Sequence, residues 1–157
     1  MQVRGITDHD IPVLADLYRD AARGLGSQAY SAAQIEIWAS FPDDFAAFRD
    51  RLQRGLSVVS IDAECVAAFG QLDPDDHVSL LYTGTRFARR GHASAIYQHL
   101  EAAARERGIS RLTTTASRLS RPFFAKHGFD LIEVELYVYK GVEFERFKMA
   151  KTFCHSR

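Results

Sequence analysis

A run of strand-type residues, Val78 to Thr83, is followed after five residues by Arg89-Arg90-Gly91-His92-Ala93 and then by an amphipathic stretch from Ser94 to Arg107. Strand, glycine turn and helix in that order confine the chain to folds in which a sheet strand feeds directly into a helix N-terminus. Glycine at the turn admits left-handed backbone and close approach of a ligand. The first N–H groups of a helix have no partner inside it, and the dipole favours a nearby anion by about 0.3–1 kcal/mol per charge. The segment therefore outlines a cradle for an anion such as pyrophosphate. A basic loop capping an ordinary helix has the same local string, so the flanking sequence has to decide between them.

With 157 residues, of which 46% are hydrophobic, the chain can bury one real core and reads as a single domain over residues 1–157. Twenty basic and twenty acidic residues cancel, so no global field would hold a nucleic acid or an anionic membrane, and phosphate binding has to be local. No run reaches the roughly 18 apolar residues of a membrane span. Met1-Gln2-Val3-Arg4 leads into polar sequence instead of a secretory core, which sets a cytoplasmic location as the expectation. Cys65 and Cys154 have neither C-x-x-C spacing nor a histidine partner, and read as inert thiols. His92 and His99 stand seven residues apart without an adjacent carboxylate, so a solvated helix face is expected there and no metal site.

Gln2 to Ile6 reads as a strand, and Thr7 and Asp8 offer oxygens to cap a helix whose apolar face is Ile11, Leu14, Leu17 and Tyr18. Ser31-x-x-Gln34 forms a capping box for a second helix carrying Ile35, Trp38 and Ala39, and Asp43 to Gln53 is a third. Leu56–Ile61, Cys65–Leu72 and His77–Thr83 then read as three antiparallel strands joined by short turns. The helix after the glycine turn aims Ile96, Tyr97, Leu100 and Ala104 at a core and ends at Gly108. Arg111 to Thr115 is a strand, and Pro122 opens a short helix ending at Gly128. Ile132, Val134, Leu136 and Val138 alternate with Glu133, Glu135, Tyr137 and Tyr139 along the next strand, and Lys140-Gly141 turns it into a hairpin. Val142 and Phe144 are out of phase with Phe147 and Met149, which implies either a bulge near Glu145-Arg146 or burial on both faces.

Over nearly its whole length this order resembles the GNAT N-acetyltransferase superfamily. Leu80-Leu81-Tyr82-Thr83 followed by Arg89-Arg90-Gly91-His92-Ala93 is similar to the family's acetyl-CoA motif, a strand and then Q/R-x-x-G-x-G/A. Arg121-Pro122-Phe123-Phe124-Ala125-Lys126-His127-Gly128-Phe129 resembles its second signature. The resemblance implies a mixed α/β (α+β) fold with a mostly antiparallel sheet of about seven strands and four or five helices. It also implies an acyltransferase that moves an acetyl group from acetyl-CoA to a primary amine of a small molecule or peptide by direct attack, with no metal.

In that reading the main chain of Leu81, Tyr82 and Thr83 meets the pantetheine arm, and Arg89, Arg90, Gly91, His92, Ala93 and Ser94 hold the pyrophosphate. Ser117 and Phe124 border the same cofactor. The sequence departs from the family pattern at four positions: Ala88 replaces the usual Gln or Arg, Ala93 takes the small-residue option, Ser117 replaces a common asparagine, and Phe124 stands where many members carry a proton-donating tyrosine. Phenylalanine has no proton to give, which also leaves open a catalytically weak acyl-CoA-binding regulatory domain.

Attack needs a neutral amine and polarisation of the thioester carbonyl. His77 occupies the place where several members have a glutamate base, and an imidazole of reference pKa about 6.5 suits the role; beside Asp75 and Asp76 it is equally a turn residue. Ser79 can relay a proton or order a water between base and amine, or simply bond within the sheet. A backbone N–H near Leu81 or Tyr82 would serve the oxyanion, and Tyr82, Tyr137 and Tyr139 are the available phenols. The resemblance puts acceptor choice on Tyr30, Trp38, Phe41, Tyr137 and Phe147, an aromatic wall suited to an apolar amine or peptide side chain, although Trp38 and Phe41 also fit a core. Glu133 and Glu135 either attract a cationic acceptor or face water. The edge at the C-terminal hairpin makes a homodimer an expectation.

Overall fold

The structure, a computed structural model, describes residues 1–153. Seven strands form one sheet: β1 (Gln2–Gly5), β2 (Leu56–Asp62), β3 (Cys65–Leu72), β4 (His77–Thr83), β5 (Arg111–Ala116), β6 (Asp130–Tyr139) and β7 (Val142–Thr152). They lie in the order β1-β2-β3-β4-β5-β7-β6, antiparallel at every junction except the parallel pair β4–β5. The helices are α1 (Ile11–Gly26), α2 (Ala32–Ala39), α3 (Phe45–Leu52), α4 (His92–Glu106) and α5 (Arg121–Lys126). This is the mixed α/β architecture, a mostly antiparallel seven-stranded sheet with five α-helices, that the resemblance implied.

The period of two along the central strands explains the layering. Val58 and Ala68 join Ile96, Tyr97, Leu100, Phe124 and Phe129 under α4 and α5, whereas their neighbours Val59 and Phe69 join Ile11, Leu14, Phe48 and Leu52 under α1 and α3. Each large apolar side chain so buried contributes about 1.5–3 kcal/mol. Helix α4 lies close over β3 because Gly70 has no side chain: a Cβ there would stand 2.5 Å from Ile96 Cγ2.

Several local expectations need correcting. Asp10, not Asp8, organises the start of α1: its carboxylate accepts the Thr7 N–H at 2.7 Å and pairs with Arg4 at 2.8 Å, while Asp8 accepts from Gln53. The Arg4 guanidinium holds the Asp10 carboxyl below its ordinary pKa. The hairpin contains a bulge, but at Ile132 in β6 and not at Glu145-Arg146, since Leu131 faces Met149 and Glu133 faces Lys148. The phase conflict in β7 comes from burial on both faces, with Phe147 and Met149 in the core under α4 and α5 and Phe144 on the opposite side. Phe147 is therefore not on the acceptor wall. The apolar stripe of β6 is uncovered, with Leu136 67% and Val138 63% exposed, and β6 is an edge of the sheet. Cys65 is an exposed thiol, and Cys154 lies outside the described residues. Among the described residues no helix is long and apolar enough to cross a membrane, and no cluster of metal-ligating side chains occurs.

Candidate active site

The parallel junction is short. β4 and β5 pair only at His77↔Thr113 and Val78↔Thr114, after which the strands diverge and open a gap in the sheet. A bulge prepares β4 for it: Leu72 pairs with Val78 but Gln71 pairs with Leu80, so Ser79 is the extra residue. Before the bulge the Val78 carbonyl faces β5, where it accepts from Thr114 Oγ1 at 2.8 Å. Beyond the bulge the alternation is shifted by one residue. The Gly84 N–H donates to Ala67 O on β3 at 2.8 Å, so the strand alternation turns Tyr82 toward β3 and leaves the main-chain groups of Leu81 and Thr83 facing the gap.

At the head of that gap Gly91 adopts φ 87° and ψ 5°, and α4 begins at His92 with no side-chain cap. The first bond within the helix runs from the Ala95 N–H to Gly91 O, so the N–H groups of His92, Ala93 and Ser94 remain for an outside acceptor. Arg89 is also left-handed, at φ 62°, and it and Arg90 are exposed beside these donors. Alternating left- and right-handed residues at a helix start produce the concave array of amides that holds phosphate.

The imidazole of His92 does not contribute to that array or to a solvated face. It is 2% exposed, with Nδ1 2.7 Å from Ser60 Oγ and Nε2 3.3 Å from Asp62 Oδ2, and it fastens the first residue of α4 to β2. His99 is exposed as expected. Ser94 Oγ is engaged by His127 Nε2 at 3.2 Å, which leaves its N–H for the cradle.

A cleft of about 470 Å³ continues from the gap. Of the expected residues it brings together Tyr30, Trp38, Phe41, Ser79, Leu81, Tyr82, Thr83, Ala93, Ser117, Phe124 and Tyr137. His77 does not line it: its Nδ1 is 2.8 Å from Thr113 Oγ1 at the closed end of the strand pair, and burial pushes its pKa down. Trp38 and Phe41 serve as both wall and core, since they also pack against the cluster under α1. The Tyr30 hydroxyl accepts the Arg118 N–H at 2.8 Å. Burial raises the Tyr82 phenol, so it stays protonated. Tyr137 is 37% exposed at the mouth, with the Arg146 guanidinium 3.9 Å above its ring. Phe124 is 2% exposed among Tyr97, Phe123 and Phe129, and its ring brings no hydroxyl to the cleft. Glu133 and Glu135 do not line the cleft: both pair with Lys148, and the Glu133 side chain faces water.

The chain matches the acetyltransferase (GNAT) domain family over residues 27–152. It belongs to the GNAT acetyltransferases. Within that family it is 27% identical over 150 residues to the uncharacterized N-acetyltransferase YafP of Escherichia coli K12, covering 95% of this chain and 94% of that protein. A GCN5-related N-acetyltransferase structure from Rhodopseudomonas palustris, described as a class-II aminotransferase, superposes with a TM-score of 0.94 at 28% identity, over 97% of this chain and 95% of that one. The PaiA N-acetyltransferase of Thermoplasma acidophilum, solved in complex with coenzyme A, shares the fold at a TM-score of 0.78 and 15% identity, over 97% and 98% of the two chains. This GNAT chain is thus an acyltransferase by family.

Two features of the site were missed by sequence reasoning. Gln71, fully buried on β3, donates through Nε2 to Arg51 O at 2.6 Å, Arg54 O at 2.9 Å and Ser57 Oγ at 3.0 Å. Its Oε1 therefore accepts from Ser79 Oγ at 2.7 Å, which commits the serine proton and leaves the serine lone pairs for the cleft. Tyr18, Arg51, Phe144 and Arg146, together with the expected phenol Tyr139, complete the walls. A glutamine within the apolar run Val66–Leu72 was the available signal, because a buried amide needs partners.

Proposed function

We propose that this GNAT protein moves an acetyl group from acetyl-CoA to a primary amine of a small molecule or peptide by direct attack. The observation that carries the reading is the divergence of β4 from β5 beside the unpartnered N–H groups at the start of α4. An amide-rich arm can add to the free side of β4 through Leu81 and Thr83, as a peptide adds to a sheet edge. The residues fit the donor at both ends: Gly91 to Ser94, with Arg89 and Arg90, for the diphosphate, and the gap for the thioester.

Ser79 Oγ accepts a hydrogen bond from the amine and aims its lone pair at the carbonyl carbon. The Leu81 N–H stabilises the oxygen as it gains charge. The C–N bond forms, the C–S bond breaks, the nitrogen gives up its proton to water in the cleft, and the departing thiolate takes one from Tyr137 or solvent. His77 enters only through water, because it lies beyond the closed end of the gap. A homodimer through β6 belongs to the same reading; sedimentation tests it, and a monomer at all concentrations removes it.

Phe124, buried and without a hydroxyl, favours a second reading as an acyl-CoA-binding regulatory domain. Thiol release from acetyl-CoA across amino acids, polyamines, aminoglycosides and peptide N-termini separates the two. Saturable release with one class supports the transferase, and tight acetyl-CoA binding without turnover for every class favours the regulatory domain.

A further inference from the structure

Three charged side chains line the cleft: Arg51, Glu145 and Arg146. Glu145 is paired with Arg118 and Arg146 with Glu135. Arg51, in the last turn of α3, forms no ion pair through its guanidinium among the described residues, and that group lies 5.8 Å from the centre of the Phe41 ring. Its position is fixed from behind, where its main-chain oxygen accepts from Gln71 Nε2 at 2.6 Å, and Gln71 is the residue that orients Ser79. Burial raises the Tyr82 phenol and lowers the His77 imidazole, and the Arg51 charge acts on both as a smaller influence, toward ionised Tyr82 and neutral His77.

A guanidinium facing an aromatic cleft without a counter-charge is matched by a planar anion that accepts both arms of its fork. One positive charge balances one carboxylate; a phosphate monoester, with a charge of about −1.5 to −2, would leave an excess. A polycationic acceptor has no unpaired carboxylate to meet on these walls.

We infer that the acceptor is an amine bearing a carboxylate on an aromatic or apolar body, an amino acid in place of a polyamine or aminoglycoside. Arg51 holds the carboxylate, the ring or alkyl group lies against Trp38 and Tyr82, and Ser79 receives the amine. The assignment rests on the transferase reading for its chemistry and on Arg51 for its specificity, and the two can fail separately.

Trp38, the only tryptophan in the chain, lies in the cleft and reports binding there by its fluorescence. The probes are three matched pairs differing only in the carboxylate: phenylalanine and phenethylamine, tyrosine and tyramine, leucine and isoamylamine. The amino acid of at least one pair should bind about tenfold or more tighter than its amine, as a charge-assisted bond requires. The ratio should collapse toward one in Arg51→Gln and be partly kept in Arg51→Lys, both checked for folding by circular dichroism. No carboxylate preference in any pair, no response to any probe, or a preference that survives Arg51→Gln overturns the inference. Loss of the transferase reading would show differently, as binding preference without thiol release from acetyl-CoA.

Discussion

Replacing His92 by leucine removes the imidazole that joins α4 to β2 and leaves Ser60 Oγ, 0% exposed, without its hydrogen-bond partner. Leucine roughly conserves volume, so the cavity contribution is small and the unsatisfied hydroxyl dominates, at about 1–3 kcal/mol. For a chain of this size each kcal/mol lowers the midpoint by about 2–4 °C, so a fall of about 2–12 °C is expected. Removing both partners, in His92→Leu with Ser60→Ala, relieves the buried hydroxyl and should recover at least about 1 kcal/mol relative to the sum of the single changes. Urea denaturation of the four proteins measures this coupling. The same loosening frees the first turn of α4, so acetyl-CoA should bind His92→Leu more weakly than Ser60→Ala. Strict additivity in the cycle would refute the reasoning, because it would mean that the two side chains do not depend on one another.

Gly91→Ala should lose about 1–2 kcal/mol of stability from its positive φ alone, since the added Cβ meets nothing nearer than Met1 Cε at 3.9 Å; Gly91→Asn should recover part of it in a thermal melt. Ser79→Ala should raise the KM for the amine and lower kcat/KM about tenfold, the value of one hydrogen bond near 1.4 kcal/mol, while leaving the KM for acetyl-CoA unchanged; steady-state kinetics with each substrate varied decides it. Burial depresses the pKa of both His77 and His127, so the unfolded chain binds their protons first as pH falls. Stability should be full above about pH 6.5 and decline below it. Thermal midpoints between pH 8 and pH 5 test this, and a double His77→Gln, His127→Gln variant should show a shallower decline.

The elements of the fold were readable because their signals are local: Ser31 and Gln34 do form the capping box, and Ile96, Tyr97, Leu100 and Ala104 do face the core. The left-handed glycine at the start of α4 was readable for the same reason, since a glycine, a helix start and a preceding strand are contiguous in the chain. The bulge at Ser79 could not be read, because it is defined by partners on β3. Nor could the burial of His92, which depends on Ser60 and Asp62 from a strand thirty residues earlier. The separation of His77 from the cleft is hidden for a related reason. Sequence puts it on the right strand, but only the length of the β4–β5 pairing shows that the gap opens beyond it. The bulge in β6 likewise depends on its register with β7, and the stripe beyond it is exposed because no helix among the described residues covers it, which alternation cannot reveal.

If the N–H groups of His92, Ala93 and Ser94 and the free side of β4 hold an acyl-CoA as proposed, the protein binds it without any acceptor present. Calorimetric titration of the folded protein with acetyl-CoA measures this binding most directly. Saturable heat with one site per chain, weakened by Gly91→Ala, is the predicted result; no heat with acetyl-CoA or CoA at millimolar concentration would contradict it.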